Sequence, residues 1–155
     1  MWLSENTGVY RLGEQTIQPW GKLDGIQLAA PGRGGVMWFG GAGSGLHRWD
    51  GTMMTNLTPQ LVNRNDLGGN VRGIRTLPDG SVLAATMGGP MLVDARGETA
   101  STWPTNNSDL AGLRCYDVNR DDAGRVWLAT AKGVYFTDGI AYFLSRITTP
   151  DHACV

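Results

Sequence analysis

A glycine that follows a short apolar run recurs along the chain as Gly8, Gly45, Gly89 and Gly133, at spacings of 37, 44 and 44 residues. Six or seven residues before each stands an anchor: Trp2, Trp38, Leu83 or Trp127. After each comes an apolar or nearly apolar pair: Val9-Tyr10, Leu46-His47, Pro90-Met91 and Val134-Tyr135. Three units then close on Asp50-Gly51, Asp94-Ala95 and Asp138-Gly139. Repetition at a fixed period means that each repeat is one small unit, unable to bury its apolar face except against its neighbour. No segment keeps the i, i+3, i+4, i+7 spacing of a helix over ten residues, so the unit reads as a four-stranded propeller blade.

The strands are legible within each unit. The first is "IQLAA", "VRGIRT" or "CYDVNR", followed by a turn, "PGRGG", "LPDGS" or "DDAGR". The second is "VMWFG", "VLAAT" or "VWLAT", and the glycine-bearing hairpin leads to the third, "GLHRW", "PMLV" or "GVYFT". An Asp-Gly hairpin, which favours positive φ, leads to the fourth, "TMMTNL", "TASTW" or "IAYFLS". The expected fold is all-β: one domain over residues 1–155, with blades near 1–22 (incomplete), 25–60, 70–104 and 113–148. The first unit opens at its second strand, and residues 152–155, "HACV", stand in register with "RCYD". They are a candidate closing strand, so one blade is expected to be split between the two ends of the sequence.

Composition supports many turns and few helices: 23 glycines, where average usage gives about 11. A formal charge of −1 provides no basic footprint for nucleic acid. No apolar run approaches the length of about 18 residues that a membrane-spanning helix needs, and "MWLSENTGVY" does not read as a signal peptide. The two cysteines, Cys115 and Cys154, fit no CxxC or zinc spacing and read as free thiols.

"CYDVNRDDAGRVWLATAKGVYFTDGIAYF" (residues 115–143) resembles the repeat of two-component regulator propellers, "V..I..D..G.lWigT..GLyr.dG..f..y". "NVRGIRTLPDGSVLAATMGG" and "GGVMWFGGAGSGLHRWDG" resemble it more loosely, with Leu83 for the usual Trp and Pro90 after the glycine. The resemblance implies a sensory propeller of bacterial, extracytoplasmic type, often responding to carbohydrates. The repeat is also similar to that of virginiamycin B lyases, a metal-dependent class with a catalytic His, toward which this chain offers His47 and His152.

Most striking-looking motifs have plain structural readings. The Trp2, Trp38, Leu83 and Trp127 column is expected to fill the space between blades. "GGAGSG" (40–45) is followed by a strand rather than a helix, so it is a hairpin and no phosphate loop. His47 shares its position with Tyr10, Met91 and Tyr135 and is expected to pack. Asp121-Asp122 lies in a turn that Asp favours. Gly8, Gly45, Gly89, Gly133, Asp50, Gly51, Asp138 and Gly139 are turn residues. No catalytic residue, metal site or cofactor is expected.

What remains is the face where blade-to-blade connections meet the starts of the first strands. It carries Trp20, Asn63, Arg64, Asn65, Asp66, Trp103, Asn106, Asn107 and Asp109 on connections, with Arg72, Arg75, Arg114 and Asp117 on or beside the strands. Such mixtures suit polar, sugar-like ligands through directed hydrogen bonds and ring stacking. The expectation is a non-enzymatic binding or sensory module, its ligand a carbohydrate or a protein. The alternative is an assembly unit, nearly four blades per chain, that completes a ring as a head-to-tail homodimer or with the remainder of a larger propeller.

Overall fold

The computed structural model describes residues 2–5, 8–12, 17–21, 24–57, 69–103, 110, 112–137 and 144–146. Four antiparallel sheets follow one another along the chain, each a meander in sequence order. The first holds β1 (Trp2–Glu5), β2 (Gly8–Leu12) and β3 (Ile17–Gly21). The second holds β4 (Ile26–Pro31), β5 (Met37–Gly41), β6 (Gly45–Trp49) and β7 (Met54–Asn56). The third holds β8 (Val71–Thr76), β9 (Val82–Thr86), β10 (Gly89–Val93) and β11 (Ala100–Thr102). The fourth holds β12 (Cys115–Arg120), β13 (Val126–Thr130), β14 (Gly133–Thr137) and β15 (Leu144–Arg146). Apart from one 3-10 turn at Arg33–Gly35, the described residues contain no helix. The expected closing strand, 152–155, lies outside them, as do Asp138 and Gly139.

Successive sheets pack side by side. β1 lies against β4, β8 against β4 and β5, and β12 against β8 and β9. Alternation along each strand therefore gives the second and third sheets one face toward the preceding sheet and one toward the following one. On β9, Val82 and Ala84 join Trp38 and Leu46 of the second sheet, while Leu83 and Ala85 join Val126, Leu128 and Tyr135 of the fourth. Trp38 is 0% exposed and Leu83 1%. Trp38 and Leu83 thus fill the gaps between sheets, whereas Trp127 is only partly buried and the side chain of Trp2 lies outside the described residues.

Close approach needs small residues as well as large ones. A methyl group at Gly40 would stand 2.9 Å from Val71 Cγ1 and 3.0 Å from Ile74 Cδ1. One at Gly73 would stand 2.6 Å from Asp117 Oδ1 and 2.8 Å from the Val118 backbone nitrogen. Two further bonds tie the innermost strands together: Thr76 Oγ1 donates to the Pro31 carbonyl at 2.6 Å, and Arg75 Nε donates to Asn119 Oδ1 at 3.0 Å. Pro90 sits within β10 without breaking it. It pairs with Ala85, and its carbonyl accepts from Trp103 N at 2.9 Å. The missing N–H falls at the end of the short pairing with β11, where one bond is lost.

The turns repeat their own chemistry. Gly32, Leu77 and Asp121 each donate a backbone N–H to the residue four positions on, at 2.7, 2.8 and 3.0 Å. Each such turn holds a positive-φ glycine: Gly35, Gly80 or Gly124. The outer connections, residues 50–53 and 94–99, are longer than the expected two-residue hairpins, because a carboxylate organises them. Asp50 Oδ1 accepts the amides of Met53 and Thr52 at 2.8 and 2.9 Å, and the Thr52 hydroxyl at 2.8 Å. Asp94 accepts from the Thr99 hydroxyl and from the amides of Thr99, Glu98 and Arg96. Asp121 accepts Trp127 Nε1 at 2.8 Å, Arg125 Nε at 2.7 Å and the Arg125 amide at 2.9 Å. At the glycine hairpins, the hydroxyls of Thr86 and Thr130 each donate at 2.7 Å to the carbonyls of Gly89 and Gly133.

These bonds hold the carboxylates below their ordinary range. The Met53 and Thr52 amides bring Asp50 down to about 2, and the Trp127 indole and Arg125 do the same for Asp121. At Asp94 burial pushes upward, yet the bonds from Thr99, Glu98 and Arg96 outweigh it and leave about 2. A carboxylate with a depressed folded value adds stability above its unfolded value of 3.8 and loses it as pH falls through about 2. Urea midpoints are therefore expected to fall steeply between about pH 4 and pH 2, with the Asp50→Asn, Asp94→Asn, Asp121→Asn triple variant showing a flatter profile; an unchanged slope would refute the carboxylate turns. Gly73→Ala is expected to destabilise by about 1–3 kcal/mol in urea denaturation, since the fourth sheet must shift to admit the methyl.

Candidate ligand-binding site

In each four-stranded sheet the ladder of the innermost strand is interrupted at the same place. Ile26 pairs with Gly41 but Leu28 with Gly40; Val71 pairs with Thr86 but Gly73 with Ala85; Cys115 pairs with Thr130 but Asp117 with Ala129. One extra residue is thus inserted per sheet: Gln27, Arg72 or Tyr116. An inserted residue leaves the pairing and turns its side chain outward, a device common beside functional sites. All three are exposed, Tyr116 by 48%. Flanking residues 26, 71 and 115 are fully buried, so each insertion stands on a fixed base.

The bulges lie at the end of the sheets that the glycine hairpins share. The carbonyls of Asn70 and Arg114, each immediately before an innermost strand, accept from Met87 N at 3.1 Å and Ala131 N at 3.0 Å in those hairpins. Asn70 is partly exposed and Arg114 exposed. Because β4, β8 and β12 adjoin one another, one amide, one guanidinium and one phenol occupy equivalent positions on neighbouring sheets. Neither Arg72 nor Arg114 has a carboxylate partner among the described residues. This end therefore offers two cations, a neutral donor–acceptor and an aromatic face, suited to a polar ligand bearing oxygen acceptors.

The residues expected from sequence fall into distinct groups. Arg72 is a bulge residue and Arg114 flanks one. Asp117 is exposed, and its Oδ1 accepts the Val118 amide at 2.8 Å beside Gly73. Arg75 is exposed but bonded to Asn119, which makes it a brace between the third and fourth sheets. Trp103 differs from expectation: at 4% exposure it packs with Leu83, Ala85, Leu110 and Leu113 between the third and fourth sheets, so it cannot present a ring to a ligand. Trp20 lies in β3 rather than on a connection. Asn63, Arg64, Asn65, Asp66, Asn106, Asn107 and Asp109 lie outside the described residues. Gln27 and Tyr116 were not among the expected residues. Their signal was a one-residue excess in each innermost strand, invisible until the pairing is known.

Two reactive side chains are placed in packing roles. His47 is 8% exposed with Nε2 2.8 Å from the Ser44 carbonyl, and burial lowers its pKa against the opposing pull of that bond. Burial pushes the Cys115 thiol up to about 12, and Sγ donates to the Leu113 carbonyl at 3.4 Å, so it is a poor nucleophile.

No protein-family model matches the chain, and no curated protein matches it. Solved structures do. The chain is similar to the extracellular domain of the hybrid two-component system BT3049 from B. thetaiotaomicron, with a TM-score of 0.65 and 17% identity over 87% of this chain. It is similar to the extracellular domain of the hybrid two-component system BT4673 of the same organism, with a TM-score of 0.67 and 14% identity over 94% of this chain. It is also similar to virginiamycin B lyase from Staphylococcus aureus, with a TM-score of 0.66 and 13% identity over 96% of this chain. It spans 19% and 20% of the two extracellular domains and 52% of the lyase. At these identities the likeness is one of fold: successive antiparallel sheets set side by side.

Replacing Gln27, Arg72 or Tyr116 by Ser is expected to move unfolding free energy by no more than about 0.5 kcal/mol, as at ordinary surface positions. Trp103→Ala is expected to cost about 3–5 kcal/mol, as for a core indole. Urea denaturation monitored by circular dichroism measures both, and a large loss at the bulge positions would make them structural.

Proposed function

We infer that this chain is a non-enzymatic binding or sensory module of propeller type, which recognises a polar ligand at the bulged ends of its innermost strands. One observation carries this reading. The same bulge recurs in three sheets and brings Gln27, Arg72 and Tyr116 out at equivalent positions, although their chemistry differs. A purely structural repeat has no need for three different polar groups on a shared rim, whereas a ligand contacted from several sides does. The Arg72 and Arg114 guanidiniums would bond oxygen acceptors in the plane of the ligand, Gln27 would supply a neutral donor and acceptor, and Tyr116 would stack. Carbohydrates, which combine hydroxyl edges with apolar ring faces, match that set.

The fold is shared with extracellular domains of two-component systems, which supports sensing as the role and a place outside the cytoplasm for proteins of this architecture. Signal would pass as a contact change at the rim, with no bond made or broken. A thermal-shift screen of neutral and acidic oligosaccharides tests the reading. A rise in Tm is expected for at least one sugar class, lost in the Arg72→Gln, Tyr116→Ser double variant. A shift that the double variant retains would move the site elsewhere, and no shift from any sugar would remove carbohydrate as the ligand class.

A further inference from the structure

The arginines of the innermost strands are set apart from the carboxylates of the chain. β8 carries Arg72 and Arg75, both exposed, and no acidic residue. It lies between β4 and β12, so sheets on either side fix its surroundings. Arg114 precedes β12 and Arg120 ends it. Against these four guanidiniums, the innermost strands and their approaches, residues 24–31, 70–76 and 114–120, hold two carboxylates, Asp24 and Asp117. That is a local excess of two positive charges in a chain whose net charge is −1. Elsewhere the carboxylates are committed to turns. Asp50 and Asp94 gather amides and hydroxyls, Asp79 Oδ1 accepts the Ser81 amide and hydroxyl at 2.9 and 2.6 Å, and Asp121 takes an indole and a guanidinium. None of the four arginines stands within ion-pair distance of a carboxylate among the described residues.

Two features of β8 turn this excess into a receptor for acid groups. Arg75 donates through Nε to Asn119 Oδ1 at 3.0 Å, which fixes the guanidinium and leaves its terminal nitrogens without a partner among the described residues. A guanidinium already held in place loses little conformational freedom when it grips a ligand. Arg72, three positions earlier, is expelled from the ladder by the bulge. A neutral hydroxyl offers such a fork one acceptor in competition with water, whereas a carboxylate or sulfate offers two charged oxygens at matching spacing. We propose that the ligand of the bulged rim is an acidic saccharide, its carboxylate or sulfate groups gripped by Arg72 and Arg75 with Arg114 alongside. This rests on the reading of the rim as a carbohydrate site and narrows it to the charged members of that class.

Isothermal titration of the full chain with two matched pairs tests this: oligogalacturonate against its methyl ester, and a sulfated oligosaccharide against its unsulfated parent. At least one charged sugar is expected to bind about tenfold or more tightly than its uncharged counterpart, and the pair that responds identifies the acid group. Its Kd should rise about tenfold in Arg72→Gln, and should also rise when sodium chloride goes from about 0.1 to 1 M, where the screening length falls from roughly 10 to 3 Å. Arg72 is exposed, so circular dichroism should show the variant still folded. Arg96→Gln, at an exposed position on an outer connection, should leave the Kd unchanged. An equal loss in Arg96→Gln would reduce the effect to general charge attraction and overturn the proposal. Equal affinity for charged and uncharged sugars would overturn the acidic class and leave the carbohydrate reading standing, whereas no binding of any sugar would overturn both.

Discussion

The structure depends on how closely one sheet can approach the next. Trp38 occupies the gap beside Val71 and Ile74, while Gly40, two residues further along the same strand, leaves no room for even a methyl group. Large and absent side chains thus divide one surface between them, and neither works without the other. Dispersion forces fall off sharply when a gap opens by a fraction of an ångström, so this complementarity sets the spacing of the whole row. Leu83 with Gly73 repeats the arrangement one sheet on, with a smaller anchor and a closer backbone. The innermost strands then come near enough for Thr76 to reach Pro31 and Arg75 to reach Asn119.

Within each sheet, order comes from local polar bonds rather than buried ion pairs. Asp50, Asp94 and Asp121 each gather donors from residues two to six positions further on, so each connection is held by contacts local in sequence. Contacts of such short sequence separation carry little loop-closure cost, which suits a chain whose units fold locally and then stack. Trp127 and Trp38 show how the same position can be served differently. Asp121 accepts the indole N–H in the fourth sheet, whereas Gly32 stands at the equivalent turn position in the second. There a Cβ would lie 2.9 Å from Trp38 Nε1, so the tighter packing of that indole leaves no space for an acceptor side chain.

Much of this was legible in the sequence because spacing reports repetition directly. "VRGIRT", "CYDVNR", "VLAAT", "VWLAT" and "GVYFT" coincide with strands to the residue, since glycines and turn residues bracket each run. The outer connections were less legible: Asp50-Gly51 reads as a tight hairpin, but the carboxylate recruits Thr52 and Met53 into a wider loop. Trp103 shows a second limit. An indole beside polar residues and Pro104 looks like a ligand-facing ring, and only the partnership of Leu83, Leu110 and Leu113 reveals a buried plug. The bulges were hidden for a related reason. Alternation along "IQLAA" or "VRGIRT" cannot say which residue is surplus until the adjoining strand fixes the count.

Surplus status has a consequence for how such a rim can diversify. Gln27, Arg72 and Tyr116 owe nothing to ladder pairing, and each belongs to a different sheet with its own supporting core. Their identities can drift separately, so the chemistry of the rim can change one sheet at a time while the scaffold's free energy stays nearly constant. Three independent slots with a free choice of side chain can therefore change their chemistry without first passing through an unstable intermediate.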